Sequence, residues 1–283
     1  MSPRQTLAGT TKSIVPKPLR SLFRHLYLFT LDSAEVILGQ RDSLTPPERL
    51  RVATGPNRNF KETGQSFLNF LIERCELKPN ERVLDVGCGV GRIAIALANY
   101  LNSNGHYEGF DIVRAQIDWC KRNISPRFPN FRFQLADIYN KAYNPEGKCI
   151  ASEYRFPFDD ESFDLVILAS VFTHMLPPDM ERYLGEISRV LKRGARAVIS
   201  FYLLNDEARR NIDTKLSMFT FKFEVNGCWV QNVSTPESCI AYEEEHVRYL
   251  FEKHGLRIME PILYGTWSRV REQMQDIIIV SKV

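Results

Sequence analysis

The chain has 283 residues with 37 Lys and Arg against 34 Asp and Glu, a net charge of +3, too small to argue by itself for nucleic acid or lipid as a partner. Its 44% hydrophobic and 25% charged residues are ordinary for a soluble globular protein, long enough for one large α/β domain with additions or two small ones. No apolar run approaches the roughly 18–20 residues of a membrane span, and the six cysteines (Cys75, Cys88, Cys120, Cys149, Cys228, Cys239) show no C-x-x-C or metal-ligand spacing, so the expectation is a cytoplasmic chain with reduced thiols and no metal centre.

Residues 1–31 carry Arg4, Lys12, Lys17, Arg20 and Arg24 and no acid, with Leu22, Phe23, Leu26, Tyr27, Leu28 and Phe29 crowded at their end. Three readings stay open: a helix packed on the main domain, a basic helix making peripheral contact with a membrane or acyl substrate, or an organellar transit segment. Ser43 to Pro56, with three prolines and a late glycine, reads as a loop around one helical turn. Residues 1–60 are thus expected as a helical extension or lid, and 61–283 as the main domain. The latter opens with an amphipathic helix over 61–77, Phe67, Phe70, Leu71, Arg74 and Cys75 near one face.

Val83 to Arg92 (VLDVGCGVGR) organises the rest. A short apolar run ends at Asp85 and meets Gly87, Gly89 and Gly91. Apolar residues at helical spacing follow, from Ile93 to Leu101. The pattern is buried strand, tight turn, helix. Glycines let the chain reverse and let a ligand approach the backbone, toward which the helix directs free N–H groups. The dinucleotide fingerprint G-x-G-x-x-G needs glycine at position 92, where this chain has Arg92. The D-x-G-x-G-x-G string instead resembles the first motif of the class I S-adenosylmethionine-dependent methyltransferases.

Later segments follow the same family's order. The strand Tyr107–Ile112 ends in Asp111 and the strand Phe131–Leu135 leads to Asp137. Phe163–Ser170 is an apolar run of the kind buried on both faces of a parallel sheet, followed by Val171–Met175. Lys192-Arg193-Gly194-Ala195 departs from the family's Lys-Pro-Gly-Gly, at a turn distant from the cofactor. The resemblance covers roughly residues 60–283. It implies a Rossmann-like α/β fold with a seven-stranded, mostly parallel sheet whose last strand is antiparallel between its neighbours. It also implies S-adenosyl-L-methionine as cofactor, held by Asp85, Gly87, Cys88, Gly89, Gly91, Arg92, Asp111, Ile112, Asp137, Ile138 and Ser170. Asp111 is expected on the ribose hydroxyls, a task for an acceptor-only group, with capping of the next helix as the alternative. Asp137 is expected on the adenine amino group, with Ile112 and Ile138 on the ring; a capped surface turn is its alternative.

Two insertions are the expected substrate-choosing parts. Tyr139–Phe158 is longer than a strand junction needs. Asn205–Ala241 holds two β-rich segments around Asn226-Gly227, a hairpin dipeptide, with Phe219, Phe221 and Phe223 alternating on one face and Trp229 opposite. It reads as a small cap (205–241) or as a hairpin extending the core. Transfer from a sulfonium needs positioning and exclusion of water, and a base only where the acceptor atom holds its proton. His174 is the candidate base; bonding to backbone and shaping the pocket is its alternative role. The expected partner is a small-molecule methyl acceptor at O, N or C. A nucleic-acid enzyme is disfavoured because ASVF (169–172) stands where an Asn/Asp-Pro-Pro-aromatic tetrad would be, and no dense basic stripe is present. A protein methyltransferase and a non-catalytic S-adenosylmethionine binder remain the alternatives.

Overall fold

A computed structural model describes residues 27–30, 32–33, 39, 41–51, 59–141, 143–269 and 274–283. The chain divides into two units, Met1–Phe60 and Lys61–Val283. The basic segment of residues 1–31, and with it the membrane and transit readings, lies almost wholly outside the described residues. In the first unit the expected turn is the helical Glu48–Arg51. Asp32 is buried and accepts from the Glu48 backbone N–H and from the guanidinium groups of Arg49 (2.9 Å) and Arg41 (3.5 Å).

The helices of the second unit's main domain are α1 (Phe60–Cys75), α2 (Arg92–Ala98), α3 (Arg114–Asn123), α4 (Pro177–Val190), α5 (Asp206–Asp213) and α6 (Glu244–Lys253). Its sheet contains β1 (Arg82–Val86), β2 (His106–Asp111), β3 (Phe131–Leu135), β4 (Phe163–Leu168) and β5 (Leu191–Phe201). A second sheet, described below, contributes β6 (Leu203–Leu204), β7 (Phe223–Val225), β8 (Cys228–Val230) and β9 (Ile240–Glu243), and the chain ends in β10 (Leu256–Ile258) and β11 (Asp276–Lys282). The main sheet has seven strands in the order β10-β11-β5-β4-β1-β2-β3. Strands β1 to β5 pair in parallel, and β11 runs antiparallel between β5 and β10, as the resemblance implied. The chain builds β1-β2-β3 to one side and β4-β5 to the other, so strand order reverses between β1 and β4. Ligands of open α/β sheets lie at the carboxyl ends of the strands at such a point. None of the helices among the described residues is long and apolar enough to cross a membrane.

Central strands are buried because helices cover both faces of the sheet. On α4 the buried residues Met180, Tyr183, Leu184, Ile187 and Val190 repeat at helical spacing and join one core with Leu84, Val86, Val166 and Leu168. On α1 the buried stripe is Phe60, Leu68, Leu71 and Cys75. Phe67 and Phe70, expected on that face, are only half-buried, and Arg74 is exposed; a stripe through Leu68 and Leu71 turns Phe67 and Phe70 to its edge. The Lys192–Ala195 departure falls where β5 slips register against β4 and Gly194 takes φ +73°.

The first insertion is less free than its length implied. Its second half belongs to the core: Phe156 packs on Phe110 at 5.0 Å and on Tyr183 at 4.9 Å. Buried Glu186 accepts from the Phe156 N–H (2.8 Å), and Arg189 donates to the carbonyls of Phe156 (3.0 Å) and Phe158 (2.8 Å). The Glu186–Arg189 pair at 2.7 Å thereby neutralises a carboxylate that burial alone would disfavour.

The second insertion contributes most of a four-stranded sheet, β6-β9-β8-β7. Asn226 (φ +51°) and Gly227 (φ +87°) make the expected hairpin turn. Phe219 and Phe221 pack with Tyr202 and Trp267, but Phe223 is exposed. Strand pairing begins only at Phe223, so the alternation does not extend back to the other two. Trp229 packs against that same cluster rather than opposite it, while Cys228 and Val230 face the main core. Trp267 is anchored by Asp276, which accepts from its indole N–H and from the backbone N–H groups of Leu203 and Gly265, each at 2.8 Å.

Candidate active site

Asp85 lies on β1 at the strand-order reversal and is 1% exposed. The Tyr107 hydroxyl donates to its Oδ2 at 2.7 Å, whereas Oδ1 has no partner among the described residues. Burial pushes the carboxyl up to about 7, Tyr107 opposing and Asp111 adding to the rise. A raised folded-state pKa contributes stability fully present below the ordinary 3.8 and lost as pH rises through about 7. Asp85→Asn should therefore flatten the fall in unfolding free energy over that window, measured by urea denaturation across pH. Parent and variant curves that stay parallel would place the titration elsewhere.

Gly87, Gly89 and Gly91 all take left-handed backbone, φ +77°, +55° and +77°. A Cβ on Gly87 would stand 2.5 Å from Cγ2 of Val171, in the segment after β4, so the two loops at the reversal touch and only glycine fits between them. The Gly89 N–H donates to Asp111 Oδ2 at 2.8 Å, and the thiols of Cys88 and Cys120 both lie 3.8 Å from the Gly89 carbonyl. Burial raises both thiols well above their ordinary range, which makes them packing groups rather than nucleophiles. Gly91 is the N-cap of α2 and Arg92 its first residue. Burial lowers the Arg92 guanidinium's pKa, and the charge of Asp85 opposes that.

Asp111 ends β2 and is 9% exposed. Its Oδ2 takes the Gly89 N–H, and its Oδ1 takes the Val113 N–H at 2.9 Å. Burial raises its pKa against the backbone donors of Val113, Gly89 and Ile112. The carboxylate therefore closes the glycine turn itself, a role that sequence reasoning missed, and each oxygen retains further acceptor capacity. Beside it, Ile112, Arg114, Leu135, Asp137, Asn144, Glu146 and Lys148 line a cavity. Asp137 is part of that lining. Ile138 is 3% exposed and packs in the main core, outside that lining.

Asn144, Glu146 and Lys148 come from the first insertion, which folds back on β3 through N–H donation from Lys148 (3.0 Å) and Cys149 (2.9 Å) to the Asp137 carbonyl. Asn144-Pro145-Glu146-Gly147 was the available signal: a Cβ on Gly147 would fall 2.3 Å from the Tyr139 nitrogen.

Past β4, Ser170 takes φ +63°. Its N–H donates to Ser200 Oγ at 2.7 Å, and the hydroxyls of Ser170 (3.0 Å) and Ser200 (2.6 Å) share Gln275 Oε1. Ser200 and Gln275 carry no sequence signature. His174 closes a single turn, Phe172–His174. Its Nδ1 lies 2.9 Å from the Glu237 carbonyl, and the ring of Tyr143 meets it edge-on at 5.6 Å. Burial holds the imidazole below its ordinary 6.5, and the carbonyl partly offsets this.

Residues 77–255 match the methyltransferase-domain family. Methyltransferase GfsG of Streptomyces halstedii is 29% identical over 141 residues, 49% of this chain and 44% of that protein. The demethylmenaquinone methyltransferase of Lactiplantibacillus plantarum is 33% identical over 147 residues, 52% of this chain and 53% of its own; the chain thus spans about half the length of these relatives. The crystal structure of a SAM-dependent methyltransferase from Aquifex aeolicus superposes with a TM-score of 0.53 at 17% identity, covering 84% of this chain and 100% of that one, a likeness of fold. The family match over more than half of the chain, with a glycine loop and two carboxylates at the strand reversal, establishes that the chain belongs to the class I S-adenosylmethionine-dependent methyltransferases.

Proposed function

We propose that this chain transfers a methyl group from S-adenosylmethionine to a small-molecule acceptor. The observation that carries the reading is the buried Asp85 oxygen with no partner among the described residues, at the foot of a loop where a side chain will not fit. An unpaired buried carboxylate oxygen is costly. A cationic amino acid moiety beside it relieves that cost, so the residues suit this cofactor. Asp85, Gly87, Cys88, Gly89, Gly91 and Arg92 would hold the methionine part, and Asp111 with Ile112 the ribose. Asp137 would take the adenine amino group, with Ile138 supporting the wall from the core and Ser170 bounding the acceptor side.

When bound, S-adenosylmethionine supplies a methyl on a sulfonium, open to in-line displacement. The chain's part is to position and to exclude water, effects of about 7–11 kcal/mol for well-oriented reactants. Residues 205–241 act as a cap on the acceptor side, and 1–60 as an extension of the domain. A small-molecule acceptor is supported by the relatives' names, which specify demethylmenaquinone, arsenite and a sterol for those proteins. Equilibrium dialysis of the full chain should show uptake of S-adenosylmethionine and none of NADH, and small-molecule pools with a labelled methyl donor should yield labelled product. Retention of NADH with no uptake of the methyl donor would overturn the cofactor assignment. Uptake without transfer to any pool, but with transfer to RNA or protein, would overturn the acceptor class.

A further inference from the structure

We infer that Tyr143 and Glu237, one from each insertion, are positioning residues that hold His174 as a base with Nε2 unprotonated and facing the acceptor. The inference rests on the methyl-transfer reading above. A backbone carbonyl only accepts, so the His174 Nδ1 that lies 2.9 Å from the Glu237 carbonyl carries the proton. The neutral ring then has its lone pair on Nε2. The Tyr143 ring meets the imidazole edge-on, at 5.6 Å and 76°.

The two insertions are also joined directly. Asn140 donates to the Glu237 carboxylate at 3.3 Å, and the Lys141 ammonium donates to the Ser234 carbonyl at 3.3 Å. Burial raises the Tyr143 hydroxyl, and the charges of Asp111 and Cys239 add to the rise. Among the described residues, the charged groups that act on this assembly include Asp111, which acts on Tyr143, and Asp179 at the start of α4, the Glu237 carboxylate and Lys141. Asp179 and Lys141 act on the Glu237 carboxylate, while the imidazole is governed by burial and the Glu237 carbonyl.

A neutral imidazole with a fixed acceptor nitrogen suits a substrate whose reacting atom holds a proton, a hydroxyl or N–H compound. Nε2 takes that proton as the new O–C or N–C bond forms; the donor's S–C bond breaks with its electron pair left on sulfur, and the proton remains on the imidazolium.

The test is imidazole NMR on the full chain labelled at histidine, with His174→Asn identifying the resonance. The parent should show the Nδ1–H tautomer and a midpoint below 6.5. Tyr143→Ala should move that midpoint up toward 6.5 and mix the tautomers, whereas Tyr143→Phe, which keeps the ring, should match the parent. An unmoved midpoint and tautomer in Tyr143→Ala, or an Nε2–H tautomer in the parent, would overturn the inference. Dialysis of the same samples against S-adenosylmethionine separates the two failures: no uptake by the parent sinks the methyl-transfer reading, while uptake beside an unmoved imidazole sinks only the positioning roles.

Discussion

Placing valine at Gly87 should abolish S-adenosylmethionine binding while the sheet stays folded. Gly87 has φ +77°, where a residue with a side chain costs roughly 1–2 kcal/mol and a branched one more. Its new Cβ would lie 2.5 Å from Val171 Cγ2, so the loops after β1 and β4 must part, an overpacking of about 1–3 kcal/mol. That is a fraction of the roughly 5–15 kcal/mol that holds a domain together. The side chain also enters the space proposed for the methionine moiety. Calorimetry should show affinity falling by at least about 100-fold, or about 2.8 kcal/mol, with the far-ultraviolet dichroism of the parent. Binding at parental strength would remove the glycine loop from the cofactor site.

Asp111→Ala should come next in size and should act on both binding and stability. It strips the acceptor from the Gly89 and Val113 N–H groups and from the two sugar hydroxyls proposed to reach it. Hydrogen bonds to a charged group contribute about 1.5–3 kcal/mol each. With both backbone bonds gone, the turn should lose about 3–6 kcal/mol in urea unfolding, and cofactor affinity should drop on the order of 100-fold. Asp111→Asn keeps one accepting oxygen and should sit between parent and alanine in both measurements. Reduced stability with unchanged affinity would mean that the carboxylate serves the turn alone.

The pattern of strand, glycine turn and helix was legible because local rules decide it. The apolar Val83–Val86 is read in place as β1 and Asn226-Gly227 as a hairpin turn, since chain reversal depends on residues adjacent in sequence. The order of the strands and the antiparallel β11 came from resemblance to a family, not from spacing.

Residues within one element or one turn thus determined by themselves the first strand, its glycine loop, the acid that ends β2 and the acid that follows β3. Only the tertiary structure decided that Asp111 closes the glycine loop from 22 residues away, that Phe156 is core while Phe223 is solvent-facing, and that Tyr143 and Glu237 meet at His174. Periodicity reports which side of an element is apolar. It holds nothing about which distant backbone carbonyl a side chain will find, because that partner is chosen by how separately formed elements pack.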